Sequence, residues 1–246
     1  MELKDLIQHG LTRKPPRIIL HGPHGIGKSS FGAQAPAPIF LPTEDGLTMI
    51  DVPHFPVPKT LDEVWDDMAA LIKEGHEYKT FVVDTLDWLE RLIWAQVCQE
   101  KECSSIEDLG YGRGYTFAMS HWEKFFKGLD KLRDCKNMAI ILLAHNEIKP
   151  HNPPDSQPYD RYQIKLHKSA AAKGEEWADA VLFAGFKVYV KTEKGKHSGK
   201  ATGGERVVYT QPNPAYRAKN RYNLPEEMNF NFNTIMEGIK NNGKSE

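Results

Sequence analysis

The stretch HGPHGIGKSS, residues 21–30, holds Gly22, Gly27, Lys28 and Ser29 at the spacing Gly-x-x-x-x-Gly-Lys-Ser. An apolar run, Ile18-Ile19-Leu20, precedes it and a helix-compatible stretch follows, so the turn joins a strand to a helix. Gly22, Gly25 and Gly27 let the backbone take conformations that a side chain would block, so successive N–H groups can face one anion. Pro23, His24, Ile26 and Ser30 fill out the loop, and the following helix adds its positive N-terminal end. Lys28 is placed to reach the β- and γ-phosphates, and the Ser29 hydroxyl to coordinate Mg²⁺. A plain tight turn with a solvated Lys28 is the alternative. Four fixed positions matched between strand and helix decide for a nucleotide phosphate.

Three further groups belong to the same chemistry. Asp84 ends the apolar strand Phe81-Val82-Val83, where a carboxylate can bind Mg²⁺ directly or through water, the plainer reading being a cap of the next helix. Glu44 follows the short strand PIFLP, residues 38–42, at the strand end where open α/β sheets bind ligands. A carboxylate there can orient or deprotonate an attacking water; the plainer reading is a solvated acid beside Asp45. His145 and Asn146 close the strand MAIILLAHNE, residues 138–147, on the same edge and can hydrogen-bond a γ-phosphate, or simply be a polar strand tip.

The elements that would position these groups alternate. Strands are expected over 17–20, 38–42, 80–84 and 138–147, and helices over 86–100 and 115–134. Another helix starts at Thr60, whose partner Glu63 completes a capping box, and carries the stripe Leu61, Val64, Trp65, Met68, Leu71 and Ile72. The helix after the phosphate loop must stop by Pro36. Residues 1–14 suggest a small amphipathic helix stopped by Pro15-Pro16. After residue 180 the pattern turns to short β runs (181–191, 205–210, 215–220), an antiparallel extension of the same sheet. The expected fold is α/β: a mostly parallel sheet flanked by helices, with a C-terminal antiparallel extension. The divisions are an N-terminal helix and linker (1–16), a core that carries the phosphate loop (17–225) and a tail with a short helix (226–246).

Composition sets bounds. The chain has 246 residues, 40% hydrophobic and 26% charged, which is ordinary for one globular α/β domain. A formal net charge of −1 requires any nucleic-acid surface to be a local patch. Cys98, Cys103 and Cys135 lack a C-x-x-C pair and read as reduced thiols. The apolar run 138–144 is too short to cross a bilayer, so no membrane partner is expected and the location reads as cytoplasmic.

Taken together, the phosphate loop, a Glu after the next strand, an Asp ending the third and a late β region resemble the RecA-like P-loop ATPases. In YRAKNRYNLP, residues 216–225, Lys219 and Arg221 resemble the Lys-x-Lys/Arg element that RecA and DnaB-type helicases present to a neighbouring subunit's nucleotide. The size is most similar to phage-encoded RecA-like proteins of the single-strand annealing group. His145 stands where those families usually carry Gln. The resemblance implies a homo-oligomer, ring or filament, that binds single-stranded DNA, hydrolyses ATP and acts in recombination or annealing, with a single-strand-binding protein as a further partner. A replication-associated motor, an ATP-switched adaptor and a small-molecule kinase are the alternatives.

The resemblance also implies which segments face DNA. LGYGRGYTF (109–117) carries Tyr111, Arg113 and Tyr115, and the loop 146–165 carries Lys149, Tyr159, Arg161, Tyr162 and Lys165. Aromatic faces stack on bases while cations follow the phosphates, which suits single strands without sequence reading. A third segment, 187–206, has six Lys/Arg (187, 191, 194, 196, 200, 206) against two acids (193, 205) and reads equally as a solvated hairpin.

Overall fold

The computed structural model describes residue 7 and residues 14–191 and 200–242. The helix expected over 1–14 falls almost wholly outside them, as does the tip of the basic hairpin at 192–199. Five parallel strands form the middle of the sheet: β1 (Arg17–Gly22), β2 (Pro38–Pro42), β3 (Thr80–Asp84), β4 (Ala139–His151) and β6 (Ala180–Lys191). Their order is β2-β3-β4-β1-β6, continued by antiparallel β7 (Lys200–Tyr209) and β9 (Glu227–Asn229). The short β8 (Lys219–Asn220) pairs antiparallel with β6. The mostly parallel sheet with an antiparallel C-terminal extension is as the sequence predicts.

Alternate residues of each strand face opposite ways, so the sheet carries two cores. Ile19, Leu41, Phe81, Val83, Ile140 and Leu142 face one side. There they meet α2 (Leu61–Lys73), α3 (Leu86–Glu100), α4 (Arg113–Lys136) and α5 (Lys168–Trp177), with Trp122 and Phe125 of α4 fully buried. Ile18, Leu20, Phe40, Val82, Ile141 and Leu143 face the other. The helix after the phosphate loop, α1 (Lys28–Ala33), supplies only Phe31 as a large apolar side chain there. Its shortness is compensated by α6 (Phe232–Asn242), whose Phe232 and Ile235 are buried beside Phe31. The segment after 225, expected as a tail, thus packs into the core.

Two local expectations are corrected. Thr60 caps α2 by accepting the Glu63 N–H at 3.3 Å, but Glu63 accepts from Lys59 rather than from Thr60, so the box is shifted by one residue. The loop expected over 146–165 is a β-hairpin: β4 runs on past the sheet and pairs antiparallel with β5 (Tyr159–Ile164). Residues 106–109 form a 3₁₀ turn, and α4 begins at Arg113, inside the other expected DNA loop.

At the starting edge of the parallel strands, Asp179 gathers Arg17, Arg133 and Arg221 at 2.9, 3.2 and 3.3 Å. Beside it, Lys219 Nζ donates to the carbonyls of Glu175, Glu176 and Ala178 at 2.7–2.8 Å, which closes the end of α5. These carbonyls have no intrahelical partner, and a cation there also suits the helix dipole.

Two predictions follow from these contacts. A Cβ on Gly22 would lie 2.7 Å from the Ala184 carbonyl oxygen on β6 and 3.0 Å from its Cβ, so this glycine is needed for room between strands. Gly22→Ala should lower stability by about 1–3 kcal/mol, read as an earlier thermal transition; an unchanged one would show that β1 and β6 separate at no cost. Lys219→Met should cost about 1–3 kcal/mol in nucleotide-free protein, because it strips three carbonyls of their donor. Equal melting of variant and wild type would show the cap to be idle.

Candidate phosphate-binding site

The phosphate loop runs from the end of β1 into α1. Gly25 and Gly27 have φ of 74° and 100°, the left-handed region that a side chain disfavours. Gly22 does not, and its requirement is close approach rather than backbone freedom, which corrects the sequence reading. With six residues, α1 is too short for a strong helix dipole, so an anion here would be met by the N–H groups of the loop.

Loop and strand ends enclose a cavity of about 200 Å³ lined by Gly25, Gly27, Lys28, Ser29, Ser30, Glu44, Ile50, Asp84 and His145. The Ser29 hydroxyl donates to Asp84 Oδ2 at 2.6 Å. Lys28 Nζ donates back to the carbonyls of Gly22 and Pro23 at 3.2 and 3.1 Å. Burial pulls the Lys28 amine below its ordinary value, against the attraction of Asp84, Asp87 and Glu44. Burial likewise raises Asp84, while the Ser29 hydrogen bond and Lys28 work to keep it ionised. The pair Ser29 and Asp84 offers one hydroxyl and one carboxylate oxygen, a hard donor set that fits Mg²⁺ shared with phosphate oxygens. Among the described residues no cluster of three or more His, Cys, Asp or Glu forms a closed metal cage.

Glu44 is fixed by two threonines that the sequence reading passed over. Thr43 Oγ1 accepts the Thr85 N–H at 2.7 Å and donates to the Thr85 carbonyl at 2.6 Å, which ties the ends of β2 and β3. Thr85 Oγ1 then donates to Glu44 Oε1 at 3.1 Å. The signal was present as a polar residue directly after each apolar strand.

His145 lies level with Gly22 in the β1–β4 register and is buried. Its ring stacks on His24 of the loop, centroids 3.7 Å apart, and its Nδ1 lies 3.0 Å from Asp87 Oδ2. The His145 backbone N–H also donates to Asp87 Oδ1 at 3.1 Å. Burial alone would raise Asp87, but the His145 hydrogen bonds and a further one from Thr85 bring it down to about 2. Asp87, missed in the sequence, therefore orients the His145 ring. Asn146 falls just beyond, paired with Ile164 in the hairpin.

One helical turn along α3, buried Glu90 accepts the His167 backbone N–H at 3.0 Å, and burial pushes its carboxyl up to about 7. A cleft of about 320 Å³ there is lined by Asp87, Glu90, Lys149 and Lys165 among others. A larger cavity of about 530 Å³ follows residues 42–57 and shares Glu44 and Ile50 with the phosphate cavity.

The remaining predicted residues scatter. Lys219 and Arg221 sit at the opposite edge of the sheet from the phosphate loop. Lys219 is spent as a helix cap, and Arg221 keeps a half-exposed guanidinium beside Asp179. Tyr115 is stacked on His167 at 4.0 Å with its hydroxyl on Glu107, so its ring is no free platform. Tyr111 is fully exposed, and Arg113 binds the Leu109 carbonyl from an exposed position. In the hairpin, Lys149 faces Arg161 across the strands and Ile148 faces Tyr162, which places cations on one face and apolar groups on the other. Exposed Tyr162 continues a stack through Phe183 and Tyr216 to Tyr209, and Tyr159 lies against His151. Lys149 is paired with Glu147, and Arg161 bonds His151. Cys98, Cys103 and Cys135 are free thiols.

Among the described residues no helix is long and apolar enough to cross a membrane. No curated protein matches the sequence. Solved structures do match, among them the crystal structure of the RadB recombinase, at 14% identity over 80% of either chain with a TM-score of 0.43. That likeness is too distant to bear on the site, and the architecture rests on the strand pairings themselves. A family model described as AAA domain matches residues 14–222, most of the sequence and every element that lines the phosphate cavity. The chain belongs to the AAA domain family.

Proposed function

We propose that this chain binds ATP with Mg²⁺, hydrolyses it to ADP and phosphate, and engages single-stranded DNA through the β4–β5 hairpin. The observation that carries the reading is the meeting of Ser29, Asp84, Lys28 and Glu44 in one cavity at the mouth of a left-handed glycine loop. Loop N–H groups receive the β-phosphate, and Lys28 exchanges its two carbonyls for phosphate oxygens. Ser29 and Asp84 would hold Mg²⁺, which when bound neutralises charge on the phosphates. Glu44, steadied by Thr85, takes a proton from water as the water oxygen attacks the γ-phosphorus and the bond to the bridging oxygen breaks. His145, with Nδ1 held by Asp87, keeps Nε2 for a γ-phosphate oxygen. The nucleoside runs into the adjoining cavity along residues 42–57.

For DNA, support comes from the hairpin's two faces. Lys149 and Arg161 supply charge, while Ile148 and Tyr162 supply exposed apolar surface backed by an aromatic stack. Bases stack on such surfaces without sequence readout. A step in recombination or annealing would use that arm, and an oligomer would bring Arg221, the open cation of the expected pair, to a neighbour's nucleotide.

Glu44→Gln should retain ATP binding and lower the turnover number by about 10²–10⁴, the usual worth of a positioned general base. Wild-type turnover in that variant would return Glu44 to the status of a loop acid. Lys28→Ala should lose binding and turnover in a protein that still melts cooperatively. For the hairpin, Tyr162→Ala should weaken binding of a labelled single-stranded oligonucleotide about five- to a hundredfold, and Arg161→Ala should flatten its salt dependence by about one phosphate contact. Unchanged affinity in both variants across a salt titration would remove the hairpin from the DNA surface.

A further inference from the structure

Arg206 is one of the six basic residues of the segment 187–206, and in the sequence it reads as a hairpin cation. The fold puts it elsewhere. On β7 it pairs with Phe186 of β6, and its exposed side chain crosses to the phosphate loop. Arg206 Nη1 donates to the Ile26 carbonyl at 3.2 Å. The same nitrogen lies 2.8 Å from where a Cβ on Gly27 would be, so the guanidinium rests directly on that glycine. Phe230 supports it from behind: the guanidinium carbon lies 5.6 Å from the Phe230 ring centre, and that ring is fixed against Phe31 of α1 at 5.4 Å. The Arg206 carbonyl also accepts the Phe230 N–H at 3.4 Å, so strand and ring move together.

We propose that Arg206 is a phosphate-binding residue of the nucleotide site, contributed by the same chain. The inference rests on the nucleotide reading of the loop. A guanidinium carries five N–H donors in a planar fork, and here one is spent on Ile26. Among the described residues no carboxylate pairs with Arg206. Its charge is thus held by contact with an aromatic ring and a carbonyl, and its remaining donors are available to an anion on the loop. The polyphosphate of a nucleotide is the anion that this loop would hold, and the fork matches paired phosphate oxygens. Lys28 and Arg206 then flank Gly27, one from the cavity and one from the extension of the sheet. Gly27 is required twice over, by its φ of 100° and by the arginine that occupies the place of its side chain.

The test compares ATP and ADP affinities and nucleotide-free melting for wild type, Arg206→Ala, Arg206→Lys and Lys28→Ala. Arg206→Ala should bind both nucleotides about tenfold to a hundredfold more weakly, lose part of the salt sensitivity of binding, and melt like wild type without nucleotide. Arg206→Lys should recover only part of the affinity, because an ammonium lacks the planar fork. Unchanged affinity in Arg206→Ala overturns the assignment. So does weaker binding that keeps the full salt sensitivity and comes with earlier nucleotide-free melting, which would make Arg206 a support for Ile26 alone. If wild type binds neither nucleotide, or Lys28→Ala binds both as wild type does, the nucleotide reading itself falls and this assignment with it.

Discussion

The hydrogen bond from Ser29 to Asp84 holds the site together. In the sheet order, β4 lies between the strand that leads into Ser29 and the strand that ends in Asp84. The 2.6 Å contact therefore spans an intervening strand, and it can form only where the parallel strands end at matching heights. Register provides that: Pro42 is level with Asp84, Asp84 with Leu143, and His145 with Gly22. A one-residue slip of β3 would turn Asp84 to the other face and break its contact with Ser29. Such a slip is opposed at the polar ends of the run, because it would carry Thr80 or Asp84 into the layer that Phe81, Val82 and Val83 fill.

In the phosphate cavity Lys28 is set among acids. Lys28 faces Asp84, Asp87 and Glu44, and each carboxylate is given its own donor: Ser29 for Asp84, Thr85 for Glu44, His145 for Asp87. Burial pushes the neighbouring Glu90 up to about 7, although it accepts a backbone N–H. The opposite edge reverses the arrangement: Asp179 sits among three arginines, one of which, Arg17, also meets Asp130 at 3.2 Å. That cluster clamps β1 to α4 and the late strands, and it is remote from the phosphate loop. Two ends of one sheet thus carry opposite arrangements, a lysine among carboxylates at one and a carboxylate among arginines at the other.

How much was legible follows from the range of each interaction. The phosphate loop, its strand and the strand ending in Asp84 could be read because local sequence sets them: glycine φ, β-branched runs and a polar stop. The second strand was placed at 38–42 to the residue for the same reason. The place of Lys219 at the end of α5 was hidden because a cation two residues from another looks alike whether it meets solvent, a neighbour or a helix end 41–44 residues earlier in the chain. The 146–165 hairpin was hidden by Pro150, Pro153, Pro154 and Pro158, which read as loop, although Pro150 takes a place in the ladder opposite Asp160. Asp87 and Arg206 carried no motif, and only the fold brings them to the loop.

The hairpin is also joined to the phosphate cavity through α3. Its first foot, His145, is held by backbone and ring to Asp87, and its second foot, His167, by backbone to Glu90 one turn further along the same helix. Between them the Lys165 N–H donates to the His145 carbonyl at 2.9 Å, which closes the base of the hairpin. A force on the His145 ring is therefore borne by a strand that continues without a break into the hairpin, with α3 as the common footing. His24 stacks on that ring from the phosphate loop, so loop, strand tip and hairpin base form one line of contact. Rigid elements joined this way transmit displacement better than a mobile loop, because neither foot can yield without freeing a buried carboxylate of its donor.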